Sequence, residues 1–244
     1  MPFETLLLLS GGIFVIAVLY SSVGHAGASG YIAVMSLLSL APSDIKPTAL
    51  ALNVLVASIA SWQFFRAGHF SWQLFWPFAM LSVPFAFLGG YINLPTHTFK
   101  IVLGLVLLYS ALRFLFVTKH NKPVSDPPRF QALISGAGIG LLSGLTGTGG
   151  GIFLTPLLLF KGWAQVKQAA AVSALFILVN SVAGLAGYFS NTKTLPTFIL
   201  PLFVVAALGG SIGSYLGSNR FDALMIKRFL AMVLLIASAK LMLT

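Results

Sequence analysis

Long apolar runs, each of about 18 to 22 residues, make up most of this sequence. They lack the alternation that marks strands, and each is long enough to cross a bilayer as a helix. A helix also satisfies its own backbone hydrogen bonds in lipid. Only 7% of the residues are charged, whereas soluble domains carry about 25%. The chain is therefore predicted to be an all-α integral membrane protein, and soluble enzymes, nucleic-acid-binding proteins and disulfide-rich secreted modules are excluded.

Two further apolar segments are too short to cross a membrane alone. The eight long segments are predicted at about residues 5–23, 46–66, 72–93, 98–118, 130–146, 166–189, 196–217 and 222–243. The short ones, at about 28–41 and 150–161, each follow a glycine-rich break. At 1.5 Å per residue each is about 18 Å long. We expect each to form a tilted or re-entrant hairpin with the segment before it.

The sequence repeats itself at an offset of 121 residues. At that offset Gly30 coincides with Gly151, Lys46 with Lys167, and Gly89 with Gly210. We predict a first repeat over residues 1–118, a linker at 119–129 and a second repeat over 130–244, in one membrane domain. Each repeat is a glycine-broken hairpin plus three spanning helices, and so crosses the membrane an odd number of times. The second repeat should then be inverted relative to the first, as in many secondary transporters.

Basic residues indicate the orientation independently, because they favour the cytoplasmic side of a membrane. One set of loops and helix ends holds ten of them: Arg66, Arg113, Lys119, Lys122, Arg129, Lys161, Lys167, Arg220, Lys227 and Arg228. The other set holds four: Lys46, Lys100, Lys193 and Lys240. We therefore predict a cytoplasmic linker at 119–129 and both termini on the periplasmic side.

The two glycine-rich breaks, residues 24–31 and 144–151, are the leading candidates for a binding site. Glycine lets the backbone leave a helix and approach a ligand closely. The short helices that follow begin with free N–H groups and a partial positive charge, which suit an anion. The expected substrate contacts are Gly27, Ser29, Thr146, Thr148, Gly149, Gly150 and Gly151. The alternative is that these glycines only allow close helix packing.

Few other polar residues lie inside apolar runs. Asn53 and Asn180 reach similar depths once the second repeat is inverted, and we predict that they line the cavity; an interhelical hydrogen bond is the alternative. His25 is the one ionisable side chain in a break and is the candidate for gating or proton coupling, unless it is a neutral histidine bonded to backbone. Lys46 and Lys167 precede the third element of each repeat. They are expected to attract the anion, unless they are solvated interfacial lysines.

Several chemistries are disfavoured by what the sequence lacks. Its four acidic residues, Glu4, Asp44, Asp126 and Asp222, all fall near segment ends or in loops. A cation site, a carboxylate proton relay and an intramembrane protease therefore find no support. No nucleotide-binding motif or metal-ligand motif is present, so no cofactor, metal or enzymatic activity is predicted.

The breaks resemble those of the sulfite exporter TauE/SafE family of membrane anion transporters, and the resemblance covers nearly the whole chain. The second half carries the closer pattern: Gly147-Thr-Gly-Gly-Gly151, Pro156, Lys167 and Ala169-Ala-Ala-Val-Ser173. In the first half Ala28 and Ser29 replace two glycines, Met35 stands where Pro156 falls, and His25 is additional.

The resemblance implies a secondary transporter that moves a small sulfur-containing anion, sulfite or an organosulfonate, across a bacterial inner membrane. An inside-negative potential assists anion export by about 2.3 kcal/mol per charge per 100 mV. Export would therefore need no coupling ion, whereas uptake would need one, with His25 as the candidate proton carrier. Two alternatives stay open: a transporter of the same fold for another small anion or carboxylate, and a membrane scaffold or assembly protein without transport.

Overall fold

The computed structural model of the chain describes residues 3–92, 124–191 and 195–219, with isolated positions between 95 and 115 and between 231 and 239. The described stretches hold eight α-helices: α1 (Phe3–Ser21), α2 (Ala28–Leu37), α3 (Pro42–Arg66), α4 (Trp72–Tyr91), α5 (Arg129–Thr146), α6 (Gly151–Lys161), α7 (Val166–Asn191) and α8 (Ile199–Asn219). These bounds agree with the apolar segments predicted for the same parts of the chain.

Other sequence predictions fall outside the described residues. Most of the predicted segments 98–118 and 222–243 lies there, as do residues 119–123 of the predicted linker. So do nine of the fourteen basic residues used for orientation: Lys100, Arg113, Lys119, Lys122, Lys193, Arg220, Lys227, Arg228 and Lys240. The orientation stays a prediction for this reason.

The helices have the length and surface of a membrane protein. Within the described part, five of them are long and apolar enough to span a bilayer: α1, α3, α4, α7 and α8. The shorter α2 and α6 have 10 and 11 residues. Large apolar side chains such as Leu8, Phe130 and Leu200 are more than 60% exposed, as contact with lipid requires. The predicted all-α integral membrane fold is confirmed.

The order of helices recurs along the chain. A long helix, a short one and two long ones occur as α1 to α4 and again as α5 to α8. The first break, between α1 and α2, has six residues, and the second, between α5 and α6, has four. Left-handed glycines separated by 123 residues bound the breaks: Gly24 and Gly147 near the start, Gly27 and Gly150 at the end. Equivalent glycines of the two breaks are thus 123 residues apart, two more than the 121 residues that separate the identical residues.

Glycines four residues apart bring two pairs of helices into backbone contact. On α5, Gly136, Gly140 and Gly144 face the backbone of Phe78, Ser82 and Ala86 on α4. On α8, Gly209 and Gly213 face the backbone of Phe14 and Val18 on α1, and Gly217 faces that of Ser22, directly after α1. Residue numbers rise together in both pairs, so each pair of helices runs parallel. Small residues allow this close approach, and it is a common way to join helices in membranes.

Replacing one of these packing glycines should destabilise the fold. A Cβ on Gly136 would overlap the Phe78 carbonyl, whereas a Cβ on Gly138 would meet nothing within 4 Å. We expect Gly136→Ala to lower the free energy of unfolding by about 1–3 kcal/mol, because the two helices must separate. Gly138→Ala should be neutral or stabilising, by up to about 1 kcal/mol, because alanine favours the helix. Thermal unfolding of the two detergent-purified variants tests this, and equal melting temperatures would contradict it.

Helices α3 and α7, the third helices of the two halves, run antiparallel and form the centre of the structure. The Asn53 Nδ2 of α3 donates to Ser181 Oγ of α7 at 3.4 Å. Towards the other end of the contact, the Tyr188 hydroxyl donates to the Ser43 carbonyl at 3.3 Å. This pairing places the middle of α3 beside both breaks.

Candidate functional site

The first break is closed tightly by its two left-handed glycines. A Cβ on Gly24 would overlap the backbone of Ala170 in α7. Gly27 precedes the first residue of α2, and a Cβ there would lie 2.7 Å from the Tyr31 Cζ atom. Tyr31 is itself held because its hydroxyl donates to the Ala26 carbonyl at 2.6 Å. Only glycine combines the left-handed backbone with this lack of space.

The second break brings bare backbone against polar groups. Gly149 has a φ of 75°, and a Cβ there would lie 2.6 Å from Asn53 Nδ2 and 2.9 Å from Ser181 Oγ. Gly150 has a φ of 84° and precedes α6, and its Cβ would lie 2.9 Å from Phe176 Cε1. Two consecutive residues thus expose their backbone to neighbouring side chains on different sides of the break.

Asn53 connects the two breaks. Its carboxamide is fully buried, and its Oδ1 accepts a hydrogen bond from the Ala28 N–H at 3.1 Å. Ala28 is the first residue of α2. The other end of the carboxamide, Nδ2, lies beside Gly149 and donates to Ser181 Oγ. Of the two asparagines predicted to line a cavity, Asn53 is therefore the one that contacts both breaks.

His25 connects the first break to the second half of the chain. Its ring is buried against the backbone of Gly151, and Nε2 lies 2.8 Å from Thr155 Oγ1. The Thr155 hydroxyl also donates to Ser173 Oγ at 2.7 Å, so His25, Thr155 and Ser173 form one hydrogen-bonded chain.

Sequence reasoning missed the last two members of this hydrogen-bonded chain. Thr155 directly precedes Pro156, and Ser173 ends the run of residues 169–173, so both lie within the stretches that carry the family resemblance. Their positions were visible, but the contact of Thr155 with a histidine 130 residues away was not.

The predicted hydroxyl residues are all buried but do not converge on one point. Thr146 Oγ1 and Thr148 Oγ1 lie 2.9 Å apart at the second break. Ser29 is on α2, where its hydroxyl donates to the Tyr20 hydroxyl of α1 at 3.2 Å. Ser29 thus faces α1, whereas the two threonines belong to the second break.

Asn180 faces α4 rather than Asn53. It is fully buried, and its Oδ1 accepts a hydrogen bond from Ser82 Oγ at 2.7 Å. Asn53 and Asn180 therefore lie on different faces of the site. The carboxamide of each is hydrogen-bonded to a serine of a neighbouring helix.

Lys46 and Lys167 each donate to carbonyl groups near the end of the fourth helix of one half. Lys46 is only 6% exposed, and its Nζ donates to three carbonyls at the end of α4: Gly89 at 3.2 Å, Gly90 at 3.0 Å and Ile92 at 3.0 Å. Lys167 is exposed, and its Nζ donates to the Ser218 carbonyl near the end of α8 at 3.1 Å. A cation is favourable at a helix C-terminus, where carbonyls lack partners. Lys46 is thus a buried helix cap and not a solvated interfacial lysine.

Removing the Lys46 ammonium should destabilise the protein far more than removing that of Lys167. Lys46→Met leaves three carbonyls without their charged donor in a buried position, and we expect a loss of about 3 kcal/mol. Lys167→Met removes one hydrogen bond from an exposed side chain and should cost less than about 1 kcal/mol. Thermal unfolding of both variants provides the comparison. A larger loss in the Lys167 variant would contradict the assignment of Lys46 as a buried cap.

The described part of the site carries hydrogen-bond donors and no acid. Glu4, Asp44 and Asp126 all lie outside the two breaks. Within the residues that the structure describes, no group of three His, Asp or Glu side chains could hold a metal ion. Helix N-termini, hydroxyls and carboxamides make up the polar surface at the breaks, and this set of groups suits an anion.

Residues 9–241 match the sulfite exporter TauE/SafE family. The chain belongs to this family. It is also 43% identical over 234 residues to a curated protein of Sinorhizobium fredii named "Probable membrane transporter protein y4hK", with 94% of this chain and 95% of that protein covered.

A second curated relative is more distant. "Probable membrane transporter protein MJ0441" of Methanocaldococcus jannaschii is 26% identical over 152 residues, covering 60% of this chain and 56% of that protein. No solved structure matches the chain. The predicted family is confirmed, and the chain is a multi-pass member of a family of membrane transporters.

Proposed function

We propose that the chain is a secondary transporter that exports a small sulfur-containing anion, sulfite or an organosulfonate, across a bacterial inner membrane. The observation that carries this proposal is the bridge at Asn53. One buried carboxamide contacts Ala28 at the start of α2 and Gly149 in the second break. The N-terminal ends of two short helices from different halves therefore meet around the same side chain, where their partial positive charges add.

We propose that the anion contacts the residues predicted from the sequence at the two ends of this bridge. Gly27 and Ser29 belong to the α2 end, and Thr146, Thr148 and Gly149 to Gly151 belong to the α6 end. Asn53 and Asn180 line the site from α3 and α7. Lys46 caps α4, and its Cγ lies 3.3 Å from where a Cβ on Gly147 would be. We propose that Lys46 and Lys167 draw the anion towards the site from opposite sides of the membrane.

Alternating access would follow from an inverted repeat. The antiparallel contact of α3 with α7 supports this proposal, since equivalent helices of an inverted repeat run in opposite directions. The parallel pairs, α1 with α8 and α4 with α5, are consistent with it because each joins the first helix of one half to the fourth of the other. In the proposed orientation residues 119–129 are cytoplasmic and both termini are periplasmic.

His25 is the proposed gate. Its hydrogen bond to Thr155 joins the first break to α6 of the second half, and this bond must change if the halves move relative to each other. If the transporter carries protons with its substrate, His25 is the proposed carrier, because it is the only ionisable side chain in either break.

Flux measurements in proteoliposomes test the proposed function. Vesicles with the purified protein are loaded with sulfite, methanesulfonate or acetate, and a potassium gradient sets the membrane potential. We expect potential-driven efflux of the sulfur oxyanions without a pH gradient. Flux that requires a pH gradient would overturn uncoupled export and assign His25 to proton coupling. Faster flux of acetate would indicate a carboxylate transporter. No flux of any anion would favour the alternative of a membrane scaffold or assembly protein without transport.

A further inference from the structure

A cluster of three fully buried polar side chains lies on the side of the second break that faces away from Asn53. It consists of Ser82 on α4, Ser143 on α5 and Asn180 on α7. Gly150 packs against it, since a Cβ there would lie 3.4 Å from Ser143 Cβ. The same Cβ would lie 2.9 Å from Phe176, which precedes Asn180 by about one helical turn. Ser82, Ser143 and Asn180 are called the Asn180 cluster below.

Two polar atoms of the Asn180 cluster have no hydrogen-bond partner among the residues that the structure describes. They are Asn180 Nδ2 and Ser143 Oγ. The Ser82 hydroxyl donates to Asn180 Oδ1 at 2.7 Å, which uses the acceptor end of the carboxamide. Native proteins pair almost all buried polar groups, so unpaired ones call for a ligand, a water molecule or a functional role. Both of these atoms can donate, and a donor suits an anion.

We propose that the Asn180 cluster is a subsite for one oxygen atom of the substrate anion. Asn180 Nδ2 and Ser143 Oγ donate to that oxygen. Ser82 is a positioning residue, because its hydrogen bond holds the carboxamide with its nitrogen towards the ligand. This inference rests on the proposed function and adds two residues, Ser82 and Ser143, to the proposed site.

The subsite gives the transporter a means to select its substrate. Gly149 faces the Asn53 side and Gly150 faces the Asn180 cluster, so a ligand at the second break has donors on two sides. Sulfite and sulfonates carry three oxygens in a pyramidal arrangement and can contact both sides. A carboxylate has only two oxygens and therefore reaches fewer donors. The Asn180 cluster should therefore favour sulfur oxyanions over carboxylates.

The test compares Ser143→Ala and Asn180→Leu with a matched control, Ser61→Ala. The Ser61 hydroxyl is also buried without a partner in the described part of the chain, but it lies about 12 Å along α3 from Asn53. We expect Ser143→Ala and Asn180→Leu to raise the KM for methanesulfonate flux by about tenfold or more. Acetate should compete better against methanesulfonate in these variants. Ser61→Ala should match the wild type.

Stability provides a readout that separates binding from folding. Because Ser143→Ala removes a buried hydroxyl that lacks a partner, the ligand-free variant should melt at or above the wild-type temperature. The rise in melting temperature that methanesulfonate produces in the wild type should be smaller in this variant. A lower melting temperature combined with an unchanged KM would assign Ser143 a structural role and overturn the subsite.

Ser82→Ala tests the positioning role. The carboxamide of Asn180 then loses the partner of its Oδ1, so the KM for methanesulfonate should rise while the maximal rate stays near that of the wild type. An altered maximal rate with an unchanged KM would overturn the role of Ser82.

The proposed function itself fails if the wild type moves no sulfur oxyanion. Only the subsite fails if the wild type does so and Ser143→Ala behaves like Ser61→Ala.

Discussion

Adding a single methyl group at Gly149 is expected to reduce anion flux by about a hundredfold or more, because it moves groups that must be aligned around the ligand. The new Cβ would lie 2.6 Å from Asn53 Nδ2 and 2.9 Å from Ser181 Oγ. Both atoms must then move, and the hydrogen bond from Asn53 to Ser181, one of those that link α3 to α7, is lost. The substitution thus acts at the contact that carries the proposed function.

Gly162→Ala is the matched control for Gly149→Ala. Gly162 is also left-handed, with a φ of 70° against 75° for Gly149, so alanine meets a similar backbone strain at both positions. A Cβ on Gly162, at the end of α6, would meet nothing within 4 Å. The control should therefore retain flux within about twofold of the wild type. Equal losses in the two variants would show that backbone strain, and not the space beside Asn53, is responsible.

Exchanging Asn53 for its charged isostere should have the second large effect. In Asn53→Asp a carboxylate oxygen can still accept from the Ala28 N–H, so the start of α2 keeps its partner. The new negative charge lies beside Gly149, where the anion is proposed to bind. Two like charges 4 Å apart repel by about 4 kcal/mol at an effective dielectric constant of 20, which corresponds to roughly a thousandfold weaker binding.

Acidification should reverse this effect. Protonation of the new carboxyl removes its charge and restores a donor and an acceptor, so flux through Asn53→Asp should rise as the pH falls. Methanesulfonate is the suitable substrate, because it keeps its charge in acid. Asn191→Asp changes an exposed asparagine near the end of α7 and should leave flux and its pH dependence unchanged. Full flux through Asn53→Asp at neutral pH would exclude an anion beside Asn53.

The fold class was predictable because it depends on local properties of the chain. Apolar runs of spanning length, interrupted by glycine, indicated helices that end near the breaks, and α6 begins at Gly151 as the glycine pattern suggested. Asn53 was predicted as a candidate because it is a polar residue inside an apolar run, but its contact with Gly149 joins the two halves of the chain and was not visible in the sequence. For the helices, one element and its immediate neighbours in sequence carried the information.

The remaining features depend on contacts between distant parts of the chain. Ser82 and Asn180 are 98 residues apart, and nothing in the apolar run around Ser82 indicates its partner. The role of Lys46 as a helix cap depends on the end of α4 returning to the start of α3, which sequence periodicity does not show. The left-handed glycines of the two breaks are 123 residues apart, whereas the identical residues are 121 apart, and only the backbone shows this difference.

The most direct test of the shared anion site is the position of a heavy oxyanion in crystals of the protein. Selenite, the selenium counterpart of sulfite, can be located by its anomalous scattering. The strongest selenium peak is expected between Ala28 and Gly149, within hydrogen-bonding distance of Asn53 Nδ2. A selenium peak found only at the protein surface or near exposed lysines would contradict a site formed by the two breaks.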